Sequence, residues 1–314
     1  MQPPKQDRTW QISGNVPSVP ELPDITIYIE VLRARLLGKR LENVRLISPF
    51  FARTVEPALT DVQGKTLRGL SRLGKRIVME FDDDLFMVIH LMIAGRVQWK
   101  KKQGKLSPRT KVLAAFEFDD GILTIIEACT KKRASLHCVR GAEKLTQFNA
   151  GGLEVIDSTL EAFRDAMTCE NHTLKRALTD PRVLSGIGNA YSDEILHRAR
   201  LSPLAMTQKL SHDKIKRLFQ ACKETLTEWT ERLRELSGGE LPQKVTAFHP
   251  EMAVHGKYGN PCPICGTTIQ RIRYKENETN YCPRCQTGGR IFADRALSRL
   301  LKDDWPSTID EMET

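Results

Sequence analysis

Residues 261–290 read PCPICGTTIQRIRYKENETNYCPRCQTGGR. In this stretch Cys262-x2-Cys265 and Cys282-x2-Cys285 stand sixteen residues apart. That spacing suits a four-thiolate zinc site, in which two tight turns each present two sulfurs to a tetrahedral ion. Between the pairs, IQRIRY (269–274) and NETNYC (277–282) alternate apolar with polar residues, which predicts a β-hairpin. A redox CxxC is disfavoured because nothing βαβ-like surrounds either pair, and four unrelated thiols give no reason for two such pairs. Four protein ligands leave no open coordination position, so zinc here holds the fold and does no chemistry. Cys129, Cys138, Cys169 and Cys222 lack partner spacing and read as core or surface thiols.

On the N-terminal side of the cysteine module the hydrophobic period is helical. Apolar residues recur three and four apart in 159–169, 172–179, 187–200 and 211–236, with Tyr191, Ile195 and Ala199 as one such row. Pro181 and Pro203 punctuate these stretches, Ser237-Gly238-Gly239 ends the last, and 240–260 reads as a loop-rich connector. Between two of the helices lies Ser185-Gly186-Ile187-Gly188-Asn189-Ala190-Tyr191. A third glycine is missing and no strand precedes it, so a dinucleotide fingerprint is disfavoured. What remains is a tight turn presenting backbone N–H groups at a helix N-terminus, suited to one phosphate. Taken alone, the motif is equally consistent with a plain helix–helix turn.

Further upstream the period changes to two. LENVRLIS (41–48), IVMEF (77–81), LFMVIHLMI (85–93), VLAAFEF (112–118) and ILTIIEA (122–128) read as strands. Asp82-Asp83-Asp84 and Asp119-Asp120-Gly121 read as turns between them. Residues 24–37 fit either a strand or one helical face. The helix reading runs longer and ends at Gly38, and is preferred. Residues 1–19 are polar and aperiodic and read as disordered, and a short helix is expected at 292–302 before an acidic tail.

The chain has 314 residues, with 48 Lys and Arg against 39 Asp and Glu, a net charge of +9. Lys5 and Arg8 against Asp7 leave +1 in the first nineteen residues, so +8 belongs to the folded body. A basic body favours a polyanionic partner, nucleic acid before membrane. No run of about 18 apolar residues is present, which argues against a membrane-spanning helix. The N-terminus lacks a secretory pattern, which points to the cytoplasm, or the nucleoid in a bacterium.

Pro20-Glu21-Leu22-Pro23-Asp24, Leu73-Gly74-Lys75-Arg76, His90-Leu91, GIGNAYSDEIL (186–196) and the cysteine hairpin follow one another in a distinctive order. In that order the chain resembles the formamidopyrimidine-DNA glycosylase and endonuclease VIII family over roughly residues 20–290. The resemblance implies an α+β multidomain protein, monomeric, with an N-terminal β-sandwich and flanking helices at 20–150. A helix-two-turn-helix DNA-binding domain is implied at 151–240, a connector and zinc hairpin at 241–290, and a C-terminal helix and tail at 291–314. DNA carrying a damaged base or an abasic site is the implied partner. The implied activity is a DNA repair glycosylase with abasic-site lyase chemistry on damaged, chiefly oxidised, bases. A catalytically silent DNA-binding protein on the same scaffold is the main rival reading. Binding of RNA or of a protein through the zinc hairpin is a third.

The family's nucleophile is an N-terminal proline, and the matching residue here is Pro20. An acylated proline nitrogen is not nucleophilic, so the active form is expected to begin at Pro20. Val19 permits that: a GTG codon at this position can initiate with Met, leaving Pro20 first once that Met is removed. Glu21 is implied as general acid and base. Lys75 is implied at the lesion phosphate, and Asn189 with Gly186, Gly188 and Lys175 at a phosphate near the flipped nucleotide. Three positions depart from the family pattern. Asn277 stands where the hairpin normally carries an Arg, losing its charge and bidentate fork, with Arg271, Arg273 or Lys275 as possible substitutes. The residues that fill the space of the flipped base align to Ile93 and to Thr130-Lys131-Lys132-Arg133-Ala134-Ser135, without an aromatic. In that segment Lys131, Lys132 and Arg133 are either a backbone grip or a solvated turn. Asp24 replaces the usual Glu.

Overall fold

The computed structural model describes residues 19–102, 111–129, 131–242, 249–274, 277–292 and 307–312. The segment 1–18 and most of the expected helix at 292–302 lie outside them. The chain enters through helix α1 (Leu22–Leu36). Pro23 opens its first turn, and Asp24 Oδ2 accepts the Glu21 backbone N–H at 3.0 Å. The shorter Asp therefore still serves the backbone donor at the helix start, as a longer Glu commonly does. Helix α1 is buried over most of its length, and the chain leaves it through Gly38 at φ +79°.

Two antiparallel four-stranded sheets follow. One has the order β1 (Leu41–Leu46), β6 (Val112–Phe118), β7 (Gly121–Glu127), β5 (Gly95–Lys101). The other runs β2 (Leu67–Leu73), β3 (Arg76–Phe81), β4 (Leu85–His90), β8 (Ser135–Arg140). Ile77, Met79, Phe81, Met87 and Ile89 of one sheet meet Phe116, Phe118, Leu123 and Ile125 of the other, with α1 packed into the same core. Val78, Phe86, Val88 and Val139 point to the opposite face and are covered by Leu145 and Phe148. Because both faces of the second sheet are covered, β3 and β4 read as nearly continuous apolar runs rather than alternating ones.

The first three helices of the second half fall within a few residues of their periodic stretches: α2 (Leu160–Thr168), α3 (Leu174–Thr179) and α4 (Asn189–Arg198). The long α5 (His212–Ser237) follows. Thr159, Thr173 and Ser211 cap α2, α3 and α5 through their hydroxyl oxygens. Their core includes Phe163, Leu178, Tyr191, Ile195, Leu218 and Leu226. Leu22 belongs to this helical core, whereas Ile25 to Leu36 belong to the sandwich core. Helix α1 thus begins in one unit and ends in the other, which sets Pro20 and Glu21 at their junction. The cysteine module forms the expected hairpin, β9 (Gln270–Tyr274) against β10 (Asn277–Tyr281).

Three strands escape a sequence reading. In β2 the register shifts between Leu67 and Gly69, and that bulge breaks the period of two. β5 and β8 carry few apolar residues on their outer faces. One expectation needs correction: the strand read at 85–93 ends at His90. Leu91 to Ala94 form a tight turn, with Met92 at φ +51° and Ala94 at φ +72°. The Gly95 N–H donates to Leu91 O at 3.1 Å, and a Cβ on Gly95 would lie 2.0 Å from that oxygen. An apolar run with glycine only at its end conceals such a turn. Ile93 therefore sits on a loop and not in a strand.

Candidate active site and zinc centre

Pro20 and Glu21 precede α1, and both are buried. The Leu22 N–H donates to Gly186 O at 2.9 Å, which ties the start of α1 to the glycine turn. Gly186 adopts φ +79°, open to glycine, and a Cβ there would meet Leu22 Cβ at 2.8 Å. Across this seam the Glu21 carboxylate receives the first N–H groups of α4. Gly188 N donates to Oε2 at 2.6 Å, Ala190 N to Oε1 at 2.8 Å and Tyr191 N to Oε2 at 3.3 Å. The anion held at this helix N-terminus is thus the protein's own carboxylate, favoured by unpaired N–H donors and the helix dipole.

Lys75 reaches the same point from the turn between β2 and β3, where Gly74 takes φ +60°. A Cβ on Gly188 would lie 2.5 Å from Glu21 Cδ and 2.6 Å from Lys75 Nζ, so only glycine lets the two side chains converge there. Burial pushes the Lys75 ammonium below the ordinary lysine range, Glu21 opposes that shift, and Lys175 adds to it. Arg72 braces this turn: it donates to Gly74 O at 2.9 Å and pairs with Glu154, which accepts the Ser185 hydroxyl at 2.5 Å. His90, next to Arg76 in the sheet register, is driven down to about 4 by burial and by Arg76, Lys75 and His137.

Lys175 on α3 donates to Asn189 O at 2.7 Å and to Asp193 Oδ1 at 2.5 Å. The Asn189 amide donates to Glu278 O at 2.9 Å, so the glycine turn is bonded to the zinc hairpin one residue beyond Asn277. The structure therefore gathers Pro20, Glu21, Lys75, Lys175, Gly186, Gly188 and Asn189 into one cluster at the junction. Ile93 and the Lys131-Lys132-Arg133 segment lie elsewhere, at the sandwich end where Gly95 pairs with Glu127. There the Glu127 carboxylate accepts the Arg133 N–H at 2.9 Å, and Lys132 Nζ donates to Glu127 O. Arg271 stacks on Tyr258 with its guanidinium carbon 4.1 Å from the ring centre, Arg273 is exposed, and Lys275 lies outside the described residues.

The four hairpin cysteines place their sulfurs within 4.8 Å of one another, with Cys265 and Cys282 at 3.4 Å and Cys262 and Cys285 at 4.0 Å. A tetrahedral ion with Zn–S bonds of about 2.3 Å needs sulfurs about 3.8 Å apart, so the donor set fits structural zinc. His197 Nε2 on α4 lies 3.3 Å from Cys262 Sγ, the kind of outer partner that orients a metal-bound thiolate.

Asp193, Glu194, Arg72, Glu154, His255 and Asn280 were not found by sequence reasoning. Asp193 and Glu194 lie inside the quoted GIGNAYSDEIL motif, and consecutive acids among the apolar residues of a helix were the available signal. Nothing in the sequence marks the segments that partner them.

Two folded units joined at a proline-glutamate entry, with a four-thiolate hairpin bonded to the second, define a multidomain scaffold of helix-two-turn-helix type. Family comparisons give it a more particular place. Residues 19–132 match the formamidopyrimidine-DNA glycosylase N-terminal domain. Residues 154–235 match the formamidopyrimidine-DNA glycosylase helix-two-turn-helix domain, and 259–288 a zinc finger found in that enzyme and in IleRS. The chain is 31% identical over 279 residues to the formamidopyrimidine-DNA glycosylase of Heliobacterium modesticaldum, covering 85% of this chain and 100% of that protein. It is 36% identical over 156 residues to an uncharacterised formamidopyrimidine-DNA glycosylase-like protein of Mycobacterium tuberculosis, covering 50% and 97%. The Lactococcus lactis formamidopyrimidine-DNA glycosylase bound to DNA containing an abasic site superposes with a TM-score of 0.75 at 25% identity, over 85% of this chain and 99% of that one. The same protein with DNA containing Fapy-dG gives 0.76 at 25%, over 85% and 100%. The chain belongs to the formamidopyrimidine-DNA glycosylase family. No helix among the described residues is long and apolar enough to cross a membrane.

Proposed function

We propose that this protein is a bifunctional DNA glycosylase and abasic-site lyase, acting on DNA with an oxidised or otherwise damaged base through the secondary amine of Pro20. The supporting observation is the position of Pro20 beside Glu21, whose carboxylate lies against the N-terminus of α4 with Lys75 converging on it. The Lactococcus complexes, with abasic and Fapy-dG DNA, show the kind of nucleic acid that a related scaffold accepts.

When Pro20 is the first residue, its amine has a pKa near 8 in the ordinary range, so a useful fraction is neutral at physiological pH. Its nitrogen lone pair attacks the sugar C1′, the glycosidic bond breaks, and the damaged base departs with the bonding pair and takes a proton from solvent. The Glu21 carboxylate accepts the proton that the attacking nitrogen sheds and passes it to the ring oxygen, whose bond to C1′ breaks to leave an iminium ion between Pro20 and C1′. That positive charge acidifies the C2′ proton, which returns to the Glu21 carboxylate as the 3′ phosphate is expelled and the strand is cleaved. Lys75 and Lys175 offset the charge of the phosphates beside the extruded nucleotide, with Asn189, Gly186 and Gly188 shaping the turn that meets it. Ile93 enters the space the base vacates, while Lys131, Lys132, Arg133 and Asn277 contact the backbone.

Borohydride reduction of an abasic duplex in the presence of the protein tests this reading. A chain beginning at Pro20 is expected to form a covalent adduct, and the same chain beginning at Met1 is expected not to. Glu21→Gln should slow adduct formation by about 100-fold or more. Absence of any adduct from the Pro20 form, with DNA binding intact, would make the protein a binding module without lyase chemistry.

A further inference from the structure

Helix α4 also carries Asp193, one turn beyond Asn189, with a side chain fully withdrawn from solvent. Both of its carboxylate oxygens are engaged. Oδ1 accepts the Lys175 ammonium at 2.5 Å, while Oδ2 accepts the Asn280 backbone N–H at 3.1 Å and lies 2.7 Å from His255 Nδ1. These partners come from three separate segments: α3, strand β10 and the turn preceding the first cysteine pair. A buried carboxylate is costly unless its bonds are complete. Here those bonds are divided between one lysine of the active-site cluster and two groups that belong to the hairpin side.

The division has a geometric consequence. Lys175 has three N–H donors, and Asp193 Oδ1 with Asn189 O fixes two of them, which sets the direction of the third. The hairpin is seated on α4 by neighbouring contacts. Glu194 accepts the N–H groups of Ala253, Val254 and His255 at 2.8–2.9 Å, and Asn189 donates to Glu278 O. Docking of the zinc hairpin and orientation of Lys175 therefore share one carboxylate.

We infer that Asp193 is a positioning residue, holding the Lys175 ammonium toward a DNA phosphate and making that orientation conditional on the docked hairpin. The inference rests on the glycosylase reading only for the identity of the ligand. A solvated lysine in its place would offer the same charge without a fixed direction.

The test is a double-mutant cycle on the zinc-loaded chain beginning at Pro20. Binding to a duplex holding a tetrahydrofuran abasic analogue is measured for wild type, Asp193→Asn, Lys175→Met and the double variant, with zinc content assayed in each. Asp193→Asn and Lys175→Met are each expected to weaken binding about tenfold, and the double variant no more than about twofold beyond either single one. Fully additive losses with zinc retained would overturn the inference, because Asp193 would then act without Lys175. Should Asp193→Asn lose zinc, the cycle is repeated with His255→Phe, which removes the histidine donor and leaves the carboxylate in place. Non-additivity with Lys175→Met is expected again, with restoration by His255→Gln, and additivity again refutes. Failure of borohydride trapping by the wild type, alongside a non-additive cycle, would sink the lyase reading and leave the role of Asp193 standing.

Discussion

The junction around α4 and the sandwich end around Ile93 are built on opposite principles. At the junction the charged groups are withdrawn from water and bonded: Glu21 is 2% exposed and Asp193 0%, and each accepts at least three donors. At the sandwich end Lys131, Lys132 and Arg133 are exposed, and their loop hangs on one buried carboxylate, Glu127. The first arrangement fixes directions and suits bond making. The second sets long basic side chains at the surface, where attraction to a polyanion is graded by charge and salt.

Breaking the zinc centre should have the largest effect, since the hairpin supplies Glu278 O and Asn280 N to the junction. Cys262→Ser, or stripping with a chelator, is expected to lower the melting temperature and to reduce borohydride trapping by about 100-fold or more, as in modules whose metal binding is folding energy. Zinc content and trapping measured on one preparation check this. Next comes Gly188→Ala, which places a methyl group where Glu21 Cδ and Lys75 Nζ now converge. Displacement of either group by about 1 Å is expected to cost about 100-fold in trapping rate while circular dichroism stays native.

Changes at the sandwich end should be gentler and salt-dependent. Replacing Lys131, Lys132 and Arg133 with Ala is expected to flatten the slope of log affinity against log salt by up to about 3, roughly one per lost phosphate contact. A salt titration reads it, and an unchanged slope would show the segment to be a solvated turn. The smallest effect concerns His90, held down to about 4 beside Arg76 and Lys75. The unfolded chain binds that proton more readily, so stability is full above about pH 6.5 and declines as pH falls toward 4. His90→Asn should flatten this decline, by on the order of 1–3 kcal/mol, in denaturant melts across that range.

Much of the scaffold was legible because its signals are local. The cysteine spacing gave the hairpin, the 3.6-residue period gave α2 to α5 to within a few residues, and Gly38 marked the end of α1. The strands that escaped were those whose period is broken by a bulge, as in β2, or diluted by polar, half-buried residues, as in β5. In the candidate site, Glu21, Lys75 and Asn189, which the fold brings together, each stand in a short motif. Asp193 and Asn280 could not be paired, because 87 residues separate them and only the folded chain brings β10 onto α4. The turn at Leu91 to Ala94 was hidden for another reason: residues other than glycine take positive φ there, and apolar side chains give no warning of it.

The central claim is that a proline amine carries the chemistry, and the site of covalent attachment tests it most directly. The adduct formed by borohydride reduction on an abasic duplex is digested, and the modified peptide is sequenced by tandem mass spectrometry. The account predicts the reduced sugar on the nitrogen of an N-terminal Pro20. Attachment to Lys75, Lys175 or any other lysine, in a protein whose Pro20 remains acylated, would contradict it.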